Sequence, residues 1–372
     1  MESPEYVKIS WAAAMTLGLA PGKFFRDAKL HCLNLLLAYD GGCAAKCAYC
    51  GLQSTRQTDE SGDDRSFIRV DWPVVSVDEI VKGMGDDCCS HVERVCVSMV
   101  THARARNDTL DIVRRVRSRM DSISALITPT IVNKDWLIEL KRAGVDKLGV
   151  AVDAATPDLF DRLRGKGVGG PHRWDRYWET VKEGVDVFGR FEVGIHLMVG
   201  LGETEEESLR TIQRAYDMGA LSHLFSFFPE NGSAMKDRAQ PPVGTYRRVQ
   251  LARHMINKGM AVADDMKFGQ DGKLVDFGVA DAVVNLAVEG GLAFMTSGCD
   301  GGKGMANACN RPFSNGTPYQ AYMGELRNYP FKPAGEDVKV IKQQLQDYSD
   351  VPTKEWAEGL GCGLGCDCKK DR

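Results

Sequence analysis

Cys43, Cys47 and Cys50 stand in C-x3-C-x2-C spacing within the run Gly41-Gly42-Cys43-Ala44-Ala45-Lys46-Cys47-Ala48-Tyr49-Cys50. Three thiolates on one short loop can ligate three irons of a cubane [4Fe–4S] cluster. The fourth iron is then left without a protein ligand and can chelate a small molecule. Zinc is the competing reading, but it prefers four closed ligands, commonly in two pairs, and no fourth Cys or His lies near residues 43–50. A bare loop of clustered thiols would be reactive, which disfavours three cysteines with no ligand.

A second set of cysteines lies far along the chain. Cys299 and Cys309 flank a glycine-rich loop, and Cys362, Cys366 and Cys368 close the sequence. Five cysteines remote from the first loop suggest an auxiliary Fe–S site. A zinc site is the alternative, and an unliganded tail is a further reading of the last three, since chain ends are often disordered. Cys32 begins the strand that leads to the first loop, so it reads as an additional candidate ligand or as a buried strand residue. Cys88, Cys89 and Cys96 read as core or surface thiols, and His196 as a satisfied core histidine. The chain holds 12 cysteines in 372 residues. A secreted disulfide framework would normally be shorter, and the N-terminus, with Glu2 and Glu5, lacks the basic start of a signal peptide. A cytoplasmic location is the expectation.

The elements that must position these thiols alternate. Strand-length apolar runs at Leu33–Tyr39, Val92–Val100, Ser122–Thr128, Asp146–Val152, Phe191–Val199 and Leu221–Phe228 are separated by amphipathic helical segments. Successive βα units imply a parallel sheet with helical crossovers, and spacing alone does not choose between an open sheet and a barrel. Residues 1–30 read as an N-terminal helical extension and 31–265 as the α/β domain. The remainder, 266–372, reads as an irregular Cys-rich C-terminal extension that carries the auxiliary cluster region. Hydrophobic residues make up 43 %, enough for a sizeable core, and the net charge of −4 argues against nucleic acid as a partner. The arginines at 104, 106, 114, 115, 117 and 119 read as a solvated helix face. No stretch is long and apolar enough to span a bilayer.

The cysteine loop after the first strand resembles that of the radical S-adenosylmethionine (SAM) superfamily. The resemblance implies a partial (β/α)6 TIM-type barrel with its chemistry at the C-terminal strand ends. It implies SAM on the open iron, cleaved reductively to a 5′-deoxyadenosyl radical. It places SAM-binding features at Tyr49, at Ser98, Thr101 and His102 after the second strand, and at Asp153 after the fourth. Arg162 and Arg164 on the following helix would reach the SAM carboxylate, and Gly200 and Gly202 would let the backbone approach the adenine. Taken singly, Asp153 could equally be a helix cap, and the two glycines an ordinary turn.

Within the superfamily the chain resembles the biotin-synthase-like branch, and most of all one component of the two-protein lipoyl synthase. The residues that carry this are the Leu33–Cys50 entry, Ser98–His102, Asp153–Thr156 leading to Arg164-Gly165, Phe227-Phe228-Pro229, and Ser297-Gly298-Cys299 leading to Cys309-Asn310-Arg311-Pro312. The likeness implies a sulfurtransferase that inserts sulfur into an octanoyl chain held on a lipoyl-carrier domain or H-protein-like carrier. The second cluster would be the sacrificial sulfur donor. A companion lipoyl synthase component and a ferredoxin or flavodoxin would be partners. Ordinary lipoyl synthases carry auxiliary cysteines ahead of the SAM loop, where this chain has only Cys32. The alternatives are another biotin-synthase-like reaction (biotin synthesis, carbon-skeleton rearrangement or metallocofactor assembly) and a non-catalytic Fe–S scaffold.

Overall fold

The computed structural model describes residues 1–53, 72–303, 307–309 and 326–350. Six parallel strands form the centre: β2 (Cys32–Leu37), β4 (Arg94–Ser98), β5 (Ile123–Ile127), β6 (Val145–Asp153), β7 (Val193–Val199) and β8 (Leu221–Ser226). They lie side by side in chain order within an eight-stranded sheet. This is the partial (β/α)6 barrel that the resemblance of the cysteine loop implies. Valine, leucine and isoleucine dominate the strands because both faces are covered, one by helices and one by the barrel interior.

Helices follow the strands. They are α2 (Val77–Gly83), α3 (Ala105–Val116), α4 (Lys134–Ala143), α5 (Pro157–Arg164), α6 (Trp174–Phe188), α7 (Glu205–Asp217) and α8 (Val243–Asn257). Local chemistry sets their ends. The Thr204 hydroxyl accepts from Glu207 N–H while the Glu207 carboxylate accepts from Thr204 N–H, so α7 starts in a capping box. Apolar helix faces close on the sheet in one core that includes Ile112, Trp136, Leu140, Phe160 and Val181.

Two features depart from the sequence reading. The N-terminal stretch, expected to be helical, contains β1 (Tyr6–Ile9) before a short α1 (Trp11–Thr16). β1 pairs antiparallel with β2 and with β3 (Val74–Ser76), extending the sheet at its edge. Residues Tyr6–Ile9 alternate half-buried and buried, a period-two signal that a four-residue run shows only weakly. Past residue 265 the departure is a small hairpin of β9 (Lys267–Phe268) and β10 (Leu274–Asp276); the helices α9 (Asp281–Gly290) and α10 (Gly335–Leu345) fall close to the two stretches, around 279–288 and 337–346, that do not read as loop in the sequence.

The C-terminal part packs on the barrel through α8. Tyr246, Phe294, Tyr329 and Ile341 share one core. Arg248 and Glu205, both almost wholly buried, form an ion pair at 2.6 Å, and the Arg247 guanidinium donates to the Arg327 carbonyl at 2.7 Å. Residues on the two sides of position 265 are therefore one packed body at this face. No described helix is long and apolar enough to cross a membrane.

Candidate active site

The cysteine loop sits at the C-terminal end of β2, held from three sides by backbone hydrogen bonds. Cys43 N donates to Leu52 O (2.9 Å), Ala44 N to Thr101 O (2.9 Å) and Ala48 N to Leu163 O (2.7 Å). The loop is thus bound to the end of β4 and to α5. Thr101 N–H points at the Cys43 sulfur at 3.3 Å, and Leu52 N–H at the Cys50 sulfur at 3.4 Å. N–H groups aimed at sulfur suit thiolates, and such donors tune cluster potentials. Burial pushes the Cys47 thiol up to about 11, partly offset by the nearby Arg164 charge, and burial raises Cys50 as well. Cys47 and Cys50 are therefore held as neutral thiols in the metal-free chain, so loading metal there releases protons.

Beside the loop lies a buried polar knot. Asp153 ends β6 with φ of 62°, at a register shift against β7. This left-handed backbone is uncommon outside glycine, asparagine and aspartate, and it turns the carboxylate toward the loop. Its Oδ2 accepts from Tyr49 Oη at 2.6 Å and from Arg164 Nη1 at 2.7 Å. Arg164, the last residue of α5, also donates to Val152 O and Tyr177 Oη, both at 3.0 Å. His172 completes the knot, its Nδ1 lying 2.5 Å from Thr130 Oγ1 and 3.0 Å from Tyr177 Oη. Burial, reinforced by the Arg164 charge, drives the His172 pKa down to about 2, so the imidazole is neutral.

The loop opens onto a cavity of about 240 Å³ that runs down the barrel axis. Strand alternation decides its lining. Asn34, Cys96 and Ser124 are in register across β2, β4 and β5 and border the cavity, and His196 faces His223 across β7 and β8. His196 therefore points into the barrel interior. Burial keeps His223 well below the usual imidazole range, aided by His196.

At the floor of this cavity the second set of thiols gathers. The segment 296–303 with 307–309 crosses beneath the strands. Ser297 Oγ accepts from Leu224 N at 2.8 Å on β8, and Arg94 Nε donates to Asp300 O at 2.5 Å under β4. Cys299 O accepts from Ala308 N and Cys309 N, at 2.9 and 3.3 Å. Gly298 is needed here, because a Cβ would lie 2.4 Å from the Cys309 Cβ. Cys309 is brought against β2, where the Asn34 amide nitrogen lies 3.9 Å from its sulfur and 4.0 Å from that of Cys32. A hydrogen bond to Cys309, together with burial and the neighbouring Cys96, raises the Cys32 thiol. Burial lifts Cys96 to about 11, with Cys309 adding to it, and Cys299 to about 12. The buried Arg94 guanidinium beside them is held by the Asp146 carboxylate at 2.6 and 2.8 Å.

The structure thus brings Cys43, Cys47, Cys50, Tyr49, Ser98, Thr101, Asp153 and Arg164 to the upper cavity, and Cys299 and Cys309 to its floor. Other expected site residues lie elsewhere. Arg162 is surface-exposed and ion-paired to Asp158 one turn away at 3.0 Å, because its helix turns that face to solvent. His102 stacks on Tyr39 with ring centroids 3.7 Å apart, outside the cavity lining. Gly200 and Gly202 both have positive φ and form the turn after β7, again outside that lining. There the Glu203 carboxylate accepts from Gly200 N (2.6 Å) and Leu201 N (3.0 Å). Asp153 is engaged by Tyr49 and Arg164, not by a helix terminus. Cys362, Cys366 and Cys368 lie outside the described residues, as do Asn310, Arg311 and Pro312.

Sequence reasoning missed Cys96, His223 and Arg94. The signal for Cys96 was its phase: two residues before Ser98 on one strand, it shares the face that Ser98 presents to the cavity. Among the described residues, no three Cys, His, Asp or Glu side chains converge as around a single bound ion. The upper loop fits a cluster by its donor chemistry, three thiols on one turn with sulfur-directed N–H groups.

Residues 40–215 match the Radical SAM superfamily. Over 353 residues the chain is 23 % identical to an AdoMet-dependent heme synthase of Methanosarcina barkeri, covering 90 % of this chain and 89 % of that one. It is 26 % identical over 137 residues to a GTP 3′,8-cyclase of Microcystis aeruginosa, covering 36 % of this chain and 40 % of the cyclase. Among solved structures, a methylornithine synthase superposes with a TM-score of 0.45 at 11 % identity, covering 72 % of this chain and 79 % of that one.

Proposed function

The chain belongs, through residues 40–215, to the radical SAM superfamily, and on that premise we propose that it inserts sulfur into the octanoyl chain of a lipoyl-carrier domain, forming one of the two C–S bonds of the lipoyl group. The observation that carries this reading is the second group of thiols on the floor of the cavity that the SAM-loop cysteines border. Radical generation alone needs only the upper loop. A second metal centre facing the same chamber is what a reaction that donates sulfur requires.

When bound, the groups supply the chemistry. The first cluster with SAM would supply a 5′-deoxyadenosyl radical able to abstract hydrogen from an unactivated carbon, and the second cluster would supply the sulfur. The residues of the chain position and exclude. Cys43, Cys47 and Cys50 would hold the first cluster. Arg164, fixed by Asp153 and Tyr177, keeps a positive charge under the loop. Leu126, Met198 and Phe225 give the middle of the cavity the apolar wall that an alkyl chain needs. The carrier, a companion enzyme for the other C–S bond, and a ferredoxin or flavodoxin are the partners this reading calls for. Nucleic acid and membrane have no part in it, and it fits a cytoplasmic setting, where thiols stay reduced.

The test is anaerobic mass spectrometry of reconstituted protein with SAM, reductant and an octanoyl-lysyl peptide, unmodified or singly thiolated. The expected products are 5′-deoxyadenosine and a peptide carrying added sulfur, and the peptide that is accepted identifies the step. The likeness to a heme synthase across 90 % of the chain supports a second reading, radical chemistry in heme synthesis. Formation of 5′-deoxyadenosine with no sulfur on either peptide would overturn the first reading in favour of another substrate. No SAM cleavage by cluster-loaded protein would leave an Fe–S scaffold.

A further inference from the structure

The strand order and the floor segment bring together four cysteines from three distant parts of the chain. Cys32 opens β2, Cys96 is central in β4, and Cys299 and Cys309 sit on the floor segment. On β2, Cys32 and Asn34 share the inward phase, and Asn34 is the register partner of Cys96. The Asn34 amide reaches both the Cys32 and the Cys309 sulfur, and Cys96 and Cys299 are electrostatic neighbours of Cys309. Cys32 is buried, while Cys96, Cys299 and Cys309 are partly open, toward the cavity they line.

We propose that Cys32, Cys96, Cys299 and Cys309 are the four thiolate ligands of a second iron–sulfur cluster seated on the barrel floor, and that Cys362, Cys366 and Cys368 are not its ligands. The use of that cluster as a sulfur source rests on the function proposed above. Its placement rests on the cysteines alone.

Three details favour a cluster over a structural zinc ion, the other common tenant of four thiolates. First, three of the four thiols, Cys96, Cys299 and Cys309, border the reaction cavity, where a structural zinc would have no part in the chemistry. Second, donors face the sulfurs. The buried Arg94 guanidinium, held by Asp146 and Asp300, is an electrostatic neighbour of Cys96 and Cys299, and the Asn34 amide supplies N–H to the Cys32 and Cys309 sulfurs. The Asn34 Oδ1 is buried with no hydrogen-bond partner among the described residues, so the amide is held there for its nitrogen side. Third, the floor segment is fixed on several sides, by Arg94, by the Lys147–Asp300 ion pair at 3.4 Å and by Ser297. A site on this segment is held in place by contacts of the protein itself. Cys96 lies five residues before Thr101, whose N–H meets the Cys43 sulfur, so the two sites are at most roughly 16 Å apart along an extended chain.

The experiment uses the full chain, reconstituted anaerobically with iron and sulfide, and reads iron, sulfide and zinc content with Mössbauer spectra. The C43A/C47A/C50A triple variant removes the upper site and isolates the lower one. On that background about four irons per chain are expected to remain. Adding C32A, C96A, C299A or C309A is expected to remove most of them, and adding C362A/C366A/C368A to leave them. Far-UV circular dichroism of each apo protein, and the milder C96S variant, separate ligand loss from misfolding. Iron retained by C96A but lost with the tail variant would overturn the assignment. So would one zinc per chain in place of iron, or no iron on the triple background. A cluster bound as proposed, in a protein that transfers no sulfur to peptide, would keep the ligand set and sink only the sulfur-insertion reading.

Discussion

The two groups of thiols at the ends of the cavity are built in opposite ways. The upper one is local: Cys43, Cys47 and Cys50 fall within eight residues of one loop, and backbone hydrogen bonds from the loop to the carbonyls of Thr101, Leu52 and Leu163 hold it. The lower one is assembled from positions 32, 96, 299 and 309 and exists only when β2, β4 and the floor segment are docked. The upper set offers three thiols, the lower one four. On the proposed reading the difference would separate two jobs: an open iron that binds and releases a cosubstrate, and a fully ligated centre that does not.

The largest expected effect breaks the comparison at the upper end. Replacing Cys43, Cys47 or Cys50 with Ala should lower 5′-deoxyadenosine formation about a thousandfold or more, because no other group can reduce SAM. Replacing Cys96 or Cys309 with Ala should leave SAM cleavage within about threefold while abolishing sulfur transfer. Chromatographic quantitation of 5′-deoxyadenosine beside peptide mass spectrometry checks both. Equal loss of SAM cleavage from the two sets would show that they act as one unit, and the division of labour would fall.

The same contrast explains what was legible in the sequence. The upper loop could be read because its ligands are neighbours and their spacing is the signal. The six parallel strands were legible for a similar reason, since their apolar runs are bounded by helices with capping residues such as Thr204 and Asn133. The lower set was read only in part. Cys299 and Cys309 stood out beside a glycine-rich loop, but Cys96 looked like any strand cysteine, because its role depends on register with Asn34 and on a segment two hundred residues away. Arg162 was misplaced because helix phase, not proximity in sequence to Arg164, decides which side chain faces the barrel. β1 was hidden by its length, and its partners β2 and β3 had to be in place to define it.

The next effect sharpens the picture of the upper site as pre-organised. Arg164 is 4 % exposed and shares the Asp153 carboxylate with Tyr49. Arg164→Met leaves a buried carboxylate without its cation and should cost about 3 kcal/mol of stability, read as a lower thermal midpoint of the apo protein. Tyr49→Phe removes one hydrogen bond from the same carboxylate and keeps the cation, so it should cost only about 1 kcal/mol. If the two variants were equally stable, the knot would be held by packing, and the Asp153–Arg164 pair would not be what anchors the loop.

The smallest effects concern pH, and here two buried groups of the upper region act in opposite senses. The folded pKa of His172 is depressed to about 2 from 6.5 by burial and by Arg164. Between those values the unfolded chain takes up a proton that the folded chain refuses, so stability is lost as pH falls below 6.5. Glu203 is raised by burial to about 7 from 4.5, against the pull of the Gly200 and Leu201 N–H groups. Its contribution is present below 4.5 and is lost as pH rises through 7. Between pH 4.5 and 6.5 the two slopes oppose each other. His172→Asn should therefore make the apo protein relatively more resistant to acid, by on the order of 2 kcal/mol at pH 4.5 compared with pH 7. Glu203→Gln should remove the loss on the neutral side and steepen the acid side. Urea unfolding of the apo chain from pH 4.5 to 7.5, read as the difference between each variant and wild type, isolates each group from the other titrating residues. A His172→Asn difference that does not change with pH would mean that the imidazole takes up its proton equally in the folded and unfolded chain. The knot of Arg164, Tyr177 and Thr130 would then not be the dry, cationic environment that separates the upper site from solvent.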